Sequence, residues 1–227
     1  MRRVLPIIIC LTGLLYPAYA DAKITQLAQP QMVLHAIDSP AKSRPRMVRT
    51  IWDTTPWTGR QTSLPVLGTR KYAGQSWVHL ILMGRPNGLR GWVKAEQVKL
   101  ITNHWGIRVD ISNRILVARK NGKIVKRLQV VVGAPSTPTP QGHFYIEDRV
   151  RITQTWEQNG WALSTSAFSD ILLHFDGGDG QIAIHTRGSL TDAMGTAASH
   201  GCVRVPAAVA GWLARWIPPG TPLDIVR

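Results

Sequence analysis

The chain of 227 residues carries a formal net charge of +14 and two cysteines. Basic character on this scale invites anionic partners, but the absence of any zinc or RNA-binding motif and the presence of an N-terminal export signal set nucleic acid aside. With no His-Glu-x-x-His or paired-cysteine arrangement a zinc centre has little support, no carboxylate pair is marked for glycosidase chemistry, and no metal or cofactor is expected.

In chain order, Met1-Arg2-Arg3 supplies positive charge, residues 4–15 form an apolar run, and Ala18-Tyr19-Ala20 is a small-residue cleavage site. Together these read as a secretory signal peptide over residues 1–20. The run is short of the ~20 apolar residues that a membrane span requires, so no stable span is expected, and Ile9 before Cys10 is too bulky for a lipobox. Cleavage removes Arg2 and Arg3, leaves a charge of +12, and makes Cys202 the sole cysteine of the exported chain. A single thiol in such a compartment has no internal disulfide partner, which points to a reactive sulfur or an intermolecular bridge.

Residues 21–49, with the basic, proline-containing stretch Lys42-Ser43-Arg44-Pro45-Arg46, read as a connector. Over residues 50–102 short apolar and aromatic pieces alternate with turn residues, and Asn87-Gly88 predicts a hairpin between strands at 77–82 and 91–93. This is the pattern of a small β-barrel. Its tryptophans, Trp52, Trp57, Trp77 and Trp92, suit core packing and also stacking on sugars or peptides.

The remaining region, residues 103–227, is again predominantly β. Strands are predicted at 107–111 and 114–119, with a turn at Lys120-Asn121-Gly122 and a returning strand over 124–132. Residues 134–142 hold too many prolines for a central strand and read as a stiff loop. Residues 148–169 are expected to form the lid or wall of a cleft, and His174 to face either the core or that groove. The run Gln181-Ile182-Ala183-Ile184 predicts a buried strand that opens into a loop at His185. A loop over 186–198, flexible at Gly188 and Gly195, then returns the chain to Ser199-His200-Gly201-Cys202. Residues 206–216 read as a helix with Pro206 near its first turn, ended by Pro218-Pro219-Gly220.

Cysteine is nucleophilic as thiolate and needs a base or cation beside it. His185 is the candidate base, with His143 and His200 as competitors. Gly201 permits close backbone approach, and the N–H groups of His200, Gly201 and Cys202 are candidate oxyanion donors. The helix that follows adds a modest dipole contribution of roughly 0.3–1 kcal/mol.

Ile184-His185 and Ser199-His200-Gly201-Cys202-Val203-Arg204 resemble the active-site signature of the L,D-transpeptidases, the YkuD-type domain that cross-links bacterial peptidoglycan. Val130-Val131-Val132-Gly133, Pro140-Gln141-Gly142-His143-Phe144-Tyr145, Ser166-Ala167-Phe168-Ser169 and Phe175-Asp176-Gly177-Gly178 extend the likeness in order. It covers residues 104–227; Thr186 departs from the glycine that many members carry after the histidine. The expected fold is mainly β: a small SH3-like β-barrel, similar to the bacterial modules found before such domains, then a YkuD-type catalytic domain with one short helix near its C-terminus.

The resemblance implies a cell-wall enzyme of the envelope that acts on peptidoglycan stem peptides, with Cys202 as nucleophile and His185 as base. The histidine is oriented by the Thr186 carbonyl or by Ser199, and His200 shapes the site. Arg204 meets a substrate carboxylate or braces the loop; Phe168, Ser169 and His174 are further candidate substrate contacts. Carbapenem β-lactams are expected acylating inhibitors, and anionic wall polymers are candidate partners. A Cys-His stem-peptide hydrolase (carboxypeptidase) and a non-catalytic wall-binding protein stay open as alternatives, the second opposed by the intact Cys202, His185 and Gly201.

Overall fold

A computed structural model describes residues 24–153, 160–175, 177–187 and 192–227. The expected signal peptide at 1–20, Trp156 and Gly188 lie outside the described residues. The architecture is mainly β, as the alternating pattern predicts. Seventeen strands fall into two large sheets and one two-stranded ribbon, with a single α-helix among the described residues. None of these elements is a helix long and apolar enough to cross a membrane.

The first sheet takes β1 (Thr25–Pro30), β2 (Leu34–Ile37), β3 (Met47–Ile51), β4 (Leu64–Tyr72), β5 (Gln75–Ile81), β6 (Arg90–Lys94) and β7 (Val98–Asn103) in the order β3-β2-β6-β5-β4-β1-β7. The hairpin predicted at Asn87-Gly88 is present as the antiparallel pair β5 and β6. Residues 24–49 are not a connector. β1 pairs with both β4 and β7, and Leu27, Ala28, Leu34 and Ala36 are buried. The basic stretch at 42–46 belongs to the turn between β2 and β3, where Asp38 accepts hydrogen bonds from Lys42 Nζ at 2.6 Å and Arg46 N at 3.1 Å. The strands beside it are so short that proline and charge in the turn obscure them in the sequence. Among the described residues the strands pair as one series with β3 and β7 at its ends.

The second sheet contains β8 (Trp105–Asp110), β9 (Ile115–Lys120), β10 (Lys123–Gln129), β12 (Gly142–Ile152), β13 (Gly160–Phe168), β14 (Gln181–Thr186), β16 (Val203–Val205) and β17 (Pro222–Val226), in the order β10-β9-β8-β17-β12-β13-β14-β16. A parallel ribbon joins β11 (Val132–Gly133) to β15 (Ala197–Ser199). At the β9–β10 turn Asn121 and Gly122 have φ of 52° and 75°. These left-handed conformations suit a tight hairpin and are adopted readily by Asn and Gly. Of the stretch 148–169 expected as lid or wall, residues 148–152 and 160–168 belong to β12 and β13, the pair at the middle of the sheet, and so are not a lid. α1 (Ala207–Trp216) begins after Pro206 and buries Ala210, Leu213 and Ala214 against β13 and β14.

β12 is the wall the two halves share. Side chains alternate across a strand, so Phe144 and Ile146 enter the core of the second sheet while Tyr145 enters that of the first. Polar contacts reinforce the junction. Thr55 and Thr58 donate to buried Asp148 at 2.6 Å each, and Arg85 donates to the carbonyls of Ser169 and Asp179 at 2.5 and 2.8 Å. Asn87 donates to Phe168 O at 2.7 Å and Asp170 Oδ1 at 2.9 Å, and accepts from Phe168 N at 2.9 Å. Asn87→Ala removes three hydrogen bonds and strands the backbone of Phe168; a loss of about 2 kcal/mol is expected, read as a lowered midpoint in denaturant unfolding.

Candidate active site

The second sheet ends in a parallel pair that places Ile184 opposite Val203 and His185 opposite Arg204. Ile182 and Ile184 are buried in the core, which fixes the register of β14. Because β16 starts at Val203, Cys202 lies just before it, against the open edge of β14, and the Ala183 N–H donates to its sulfur at 3.4 Å. The histidine and the cysteine, on opposite sides of the crossover loop in the chain, thus share one cavity of about 280 Å³ with Gln181, Phe175, His200 and Arg204.

His185 is 8% exposed and its Nδ1 lies 2.7 Å from the Thr186 carbonyl. A carbonyl only accepts, so Nδ1 carries the proton and Nε2 is the nitrogen left for the sulfur. Of the two candidate orienting groups, the Thr186 carbonyl therefore holds the ring. Ser199 acts on the cysteine instead, since its hydroxyl donates to Cys202 O at 2.5 Å and accepts from Gly201 N at 3.2 Å. It closes the turn that carries the nucleophile. The Gly201 N–H is thereby occupied inside the turn, a correction to its expected place among the oxyanion donors.

Cys202 is partly exposed. Burial by itself pushes the thiol up, but the hydrogen bond and charge of His185, the Ala183 N–H and the Arg204 charge outweigh it, and the thiol sits below its ordinary range. The helix dipole contributes little, because β16 separates Cys202 from α1 and the effect fades within a turn.

Arg204 is 9% exposed, pairs with Asp192 and still lines the cavity, so it braces the loop and faces the site at once. His200 is exposed at the mouth, its ring 4.9 Å from that of Phe175. Ser169 also lines the cavity, its hydroxyl accepting from the N–H groups of Ile171 and Leu172 at 3.3 and 2.9 Å. Two expected substrate contacts are elsewhere. Phe168 is buried at the junction with its ring under Arg85, 5.1 Å away, and His174 is exposed outside both the core and the cavity wall. His143 is held by buried Asp224 at 2.6 Å, which removes it as a competing base. A larger cavity of about 650 Å³ lies between the two sheets, lined in part by Arg49, Trp52, Tyr145 and Glu147, and contains no cysteine or histidine.

Sequence reasoning misses Thr139. Its hydroxyl accepts from Gly133 N and donates to Gly201 O, both at 2.8 Å, while Thr137 donates to Ser199 O at 3.1 Å. The stiff loop is thus a brace beneath the cysteine turn; the alternation Thr137-Pro138-Thr139-Pro140 is the one signal in the chain that points to it. Gly201 itself has φ of 117°, and a Cβ there would meet Ile182 Cδ1 at 3.0 Å. Gly201→Ala should cost about 1–3 kcal/mol and slow alkylation of Cys202 by iodoacetamide, followed by intact-protein mass.

A family profile described as the L,D-transpeptidase catalytic domain, YkuD, matches residues 104–225. A search of curated proteins finds no match. Among solved structures, a point mutant of the Enterococcus faecium L,D-transpeptidase is 25% identical with a TM-score of 0.40, over 52% of this chain and 48% of that one. The chain therefore spans about half the length of that relative. An L,D-transpeptidase from Mycobacterium smegmatis is 13% identical with a TM-score of 0.41, over 72% and 99% of the two chains. The L,D-transpeptidase LdtMt1, solved in complex with imipenem, is 15% identical with a TM-score of 0.44, over 90% and 82%. With its family profile covering more than half the sequence, this chain belongs to the L,D-transpeptidase family with the YkuD catalytic domain.

Proposed function

We propose that the protein is exported to the cell envelope and cross-links peptidoglycan through a thioester on Cys202. The observation that carries this reading is the partly exposed thiol held below its ordinary range by His185, whose other nitrogen is fixed on the Thr186 carbonyl. His185 takes the thiol proton and the sulfur attacks the carbonyl of the third stem residue, a diamino acid, in a tetrapeptide donor. The Cys202 N–H, which has no partner among the described residues, supports the oxyanion. Collapse breaks the C–N bond, His185 returns its proton to the leaving nitrogen, and D-alanine departs. The side-chain amine of a second stem then loses a proton to His185 and attacks the thioester; the new amide forms and the thiolate is released. Arg204 supplies positive charge beside the sulfur and a contact for a substrate carboxylate.

The first sheet fits the same reading as an SH3-like module, and the basic surface suits anionic wall polymers. Residues 1–20 serve as the export signal. Carbapenems are the expected inhibitors, since their strained carbonyl presents the same electrophile to Cys202.

Incubation with a tetrapeptide donor and an amine acceptor tests the reaction directly. A cross-linked dimer is expected; free tripeptide alone assigns a hydrolase, and no product together with no carbapenem adduct on Cys202 leaves only wall binding. Cys202→Ala should abolish turnover with the unfolding midpoint retained, and unchanged turnover discards the mechanism. His185→Ala should lower turnover about 10²–10⁴-fold. It should also move the pH midpoint of Cys202 alkylation upward, because the lowered thiol loses the hydrogen bond and charge that oppose burial. An unmoved midpoint would separate His185 from thiolate formation.

A further inference from the structure

Gln181 and His185 share one face of β14 with Ala183 between them, and both line the catalytic cavity. The Gln181 amide is pinned from behind. Its Nε2 lies 2.7 Å from Thr165 O, at the bulge where β13 and β14 change register, and 2.7 Å from Glu147 Oε2. The Thr165 carbonyl can only accept, so the nitrogen must face it and the flipped amide is disallowed. Both amide protons are then committed, with Met83 Sδ of the first sheet a further 3.7 Å neighbour. The remaining polar atom, Oε1, has no partner among the described residues and is not sealed from solvent. It is a fixed acceptor beside a cavity whose wall also carries Ser169, His185, His200, Cys202 and Arg204.

Glu147 fixes this arrangement from β12 while only 7% exposed. It also lines the larger cavity between the sheets, so the Glu147–Gln181 bond joins the walls of the two cavities. Ala183 holds the sulfur, and Gln181 is two residues back along the strand, about 7 Å away. An extended substrate advances about 3.3 Å per residue. The main-chain N–H that meets Oε1 is therefore one or two residues from the carbonyl under attack.

We propose that Gln181 is a specificity-determining residue that accepts a main-chain N–H of the acyl donor on Oε1, and that Glu147 is the positioning residue that aims it. The inference rests on the reading of Cys202 as the attacking group.

The test uses the full chain and a series of tetrapeptide donors, each N-methylated at one amide other than the scissile one. In the unsubstituted protein one position should show a penalty of about 3- to 10-fold in kcat/KM, the worth of one hydrogen bond. In Gln181→Met, which keeps volume and loses the acceptor, the penalty at that position should vanish while those at the other positions persist. Glu147→Met should weaken the same penalty and Glu147→Gln should restore it. Each ratio is internal to one variant, so a reduced folded fraction does not move it. A full penalty surviving in Gln181→Met, or no penalty anywhere in an active unsubstituted protein, overturns this inference alone. Failure of the unsubstituted protein to turn over the unmethylated donor overturns the cysteine reading itself, and this inference with it.

Discussion

The parallel pairing of β14 with β16 is the constraint on which the site depends. Two strands that run in the same direction need a crossover between them, and here the crossover over residues 187–202 returns the chain with its cysteine at the mouth of the pair. Ile182, Ile184, Val203 and Val205 bury their side chains in one core, so a slip of one residue would expose all four. The same register that keeps these chains out of water therefore brings Cys202 to Ala183 and His185 to Arg204.

Around the sulfur, opposing effects are balanced closely. Burial resists ionisation of the thiol, while a hydrogen-bonded imidazole, a backbone N–H and a guanidinium favour the charged form. None of these donors is on a flexible tip. The imidazole is held by the adjacent carbonyl, the N–H belongs to β14, and Arg204 is paired with Asp192. The turn itself is tied through Ser199, Thr137 and Thr139, which satisfy backbone groups that would otherwise be buried without partners. Fixed polar groups of this kind need little reorganisation when charge develops.

β12 carries the site's connection to the first sheet. Its alternate side chains serve two cores, so the N-terminal strands are packed onto the catalytic half rather than tethered to it. Glu147, two residues beyond Tyr145 on the same face, then reaches Gln181 at the cavity wall. Packing between the halves and the position of a cavity-lining amide are consequently parts of one arrangement.

Local chemistry in the chain is enough to identify the β-rich class, the hairpins at Asn87-Gly88 and Asn121-Gly122, the helix after Pro206, and the pairing of a strand-end histidine with a glycine-flanked cysteine. Each of those is written in neighbouring residues: turn formers, apolar alternation, a short motif. The strands hidden at 25–51, the assignment of 148–152 and 160–168 to the middle of a sheet, and the separate duties of Ser199, Thr139, Phe168 and Gln181 are not legible there. They depend on which distant carbonyl or amide lies opposite a side chain, and that is set by sheet order and register, contacts between segments far apart that no local pattern encodes.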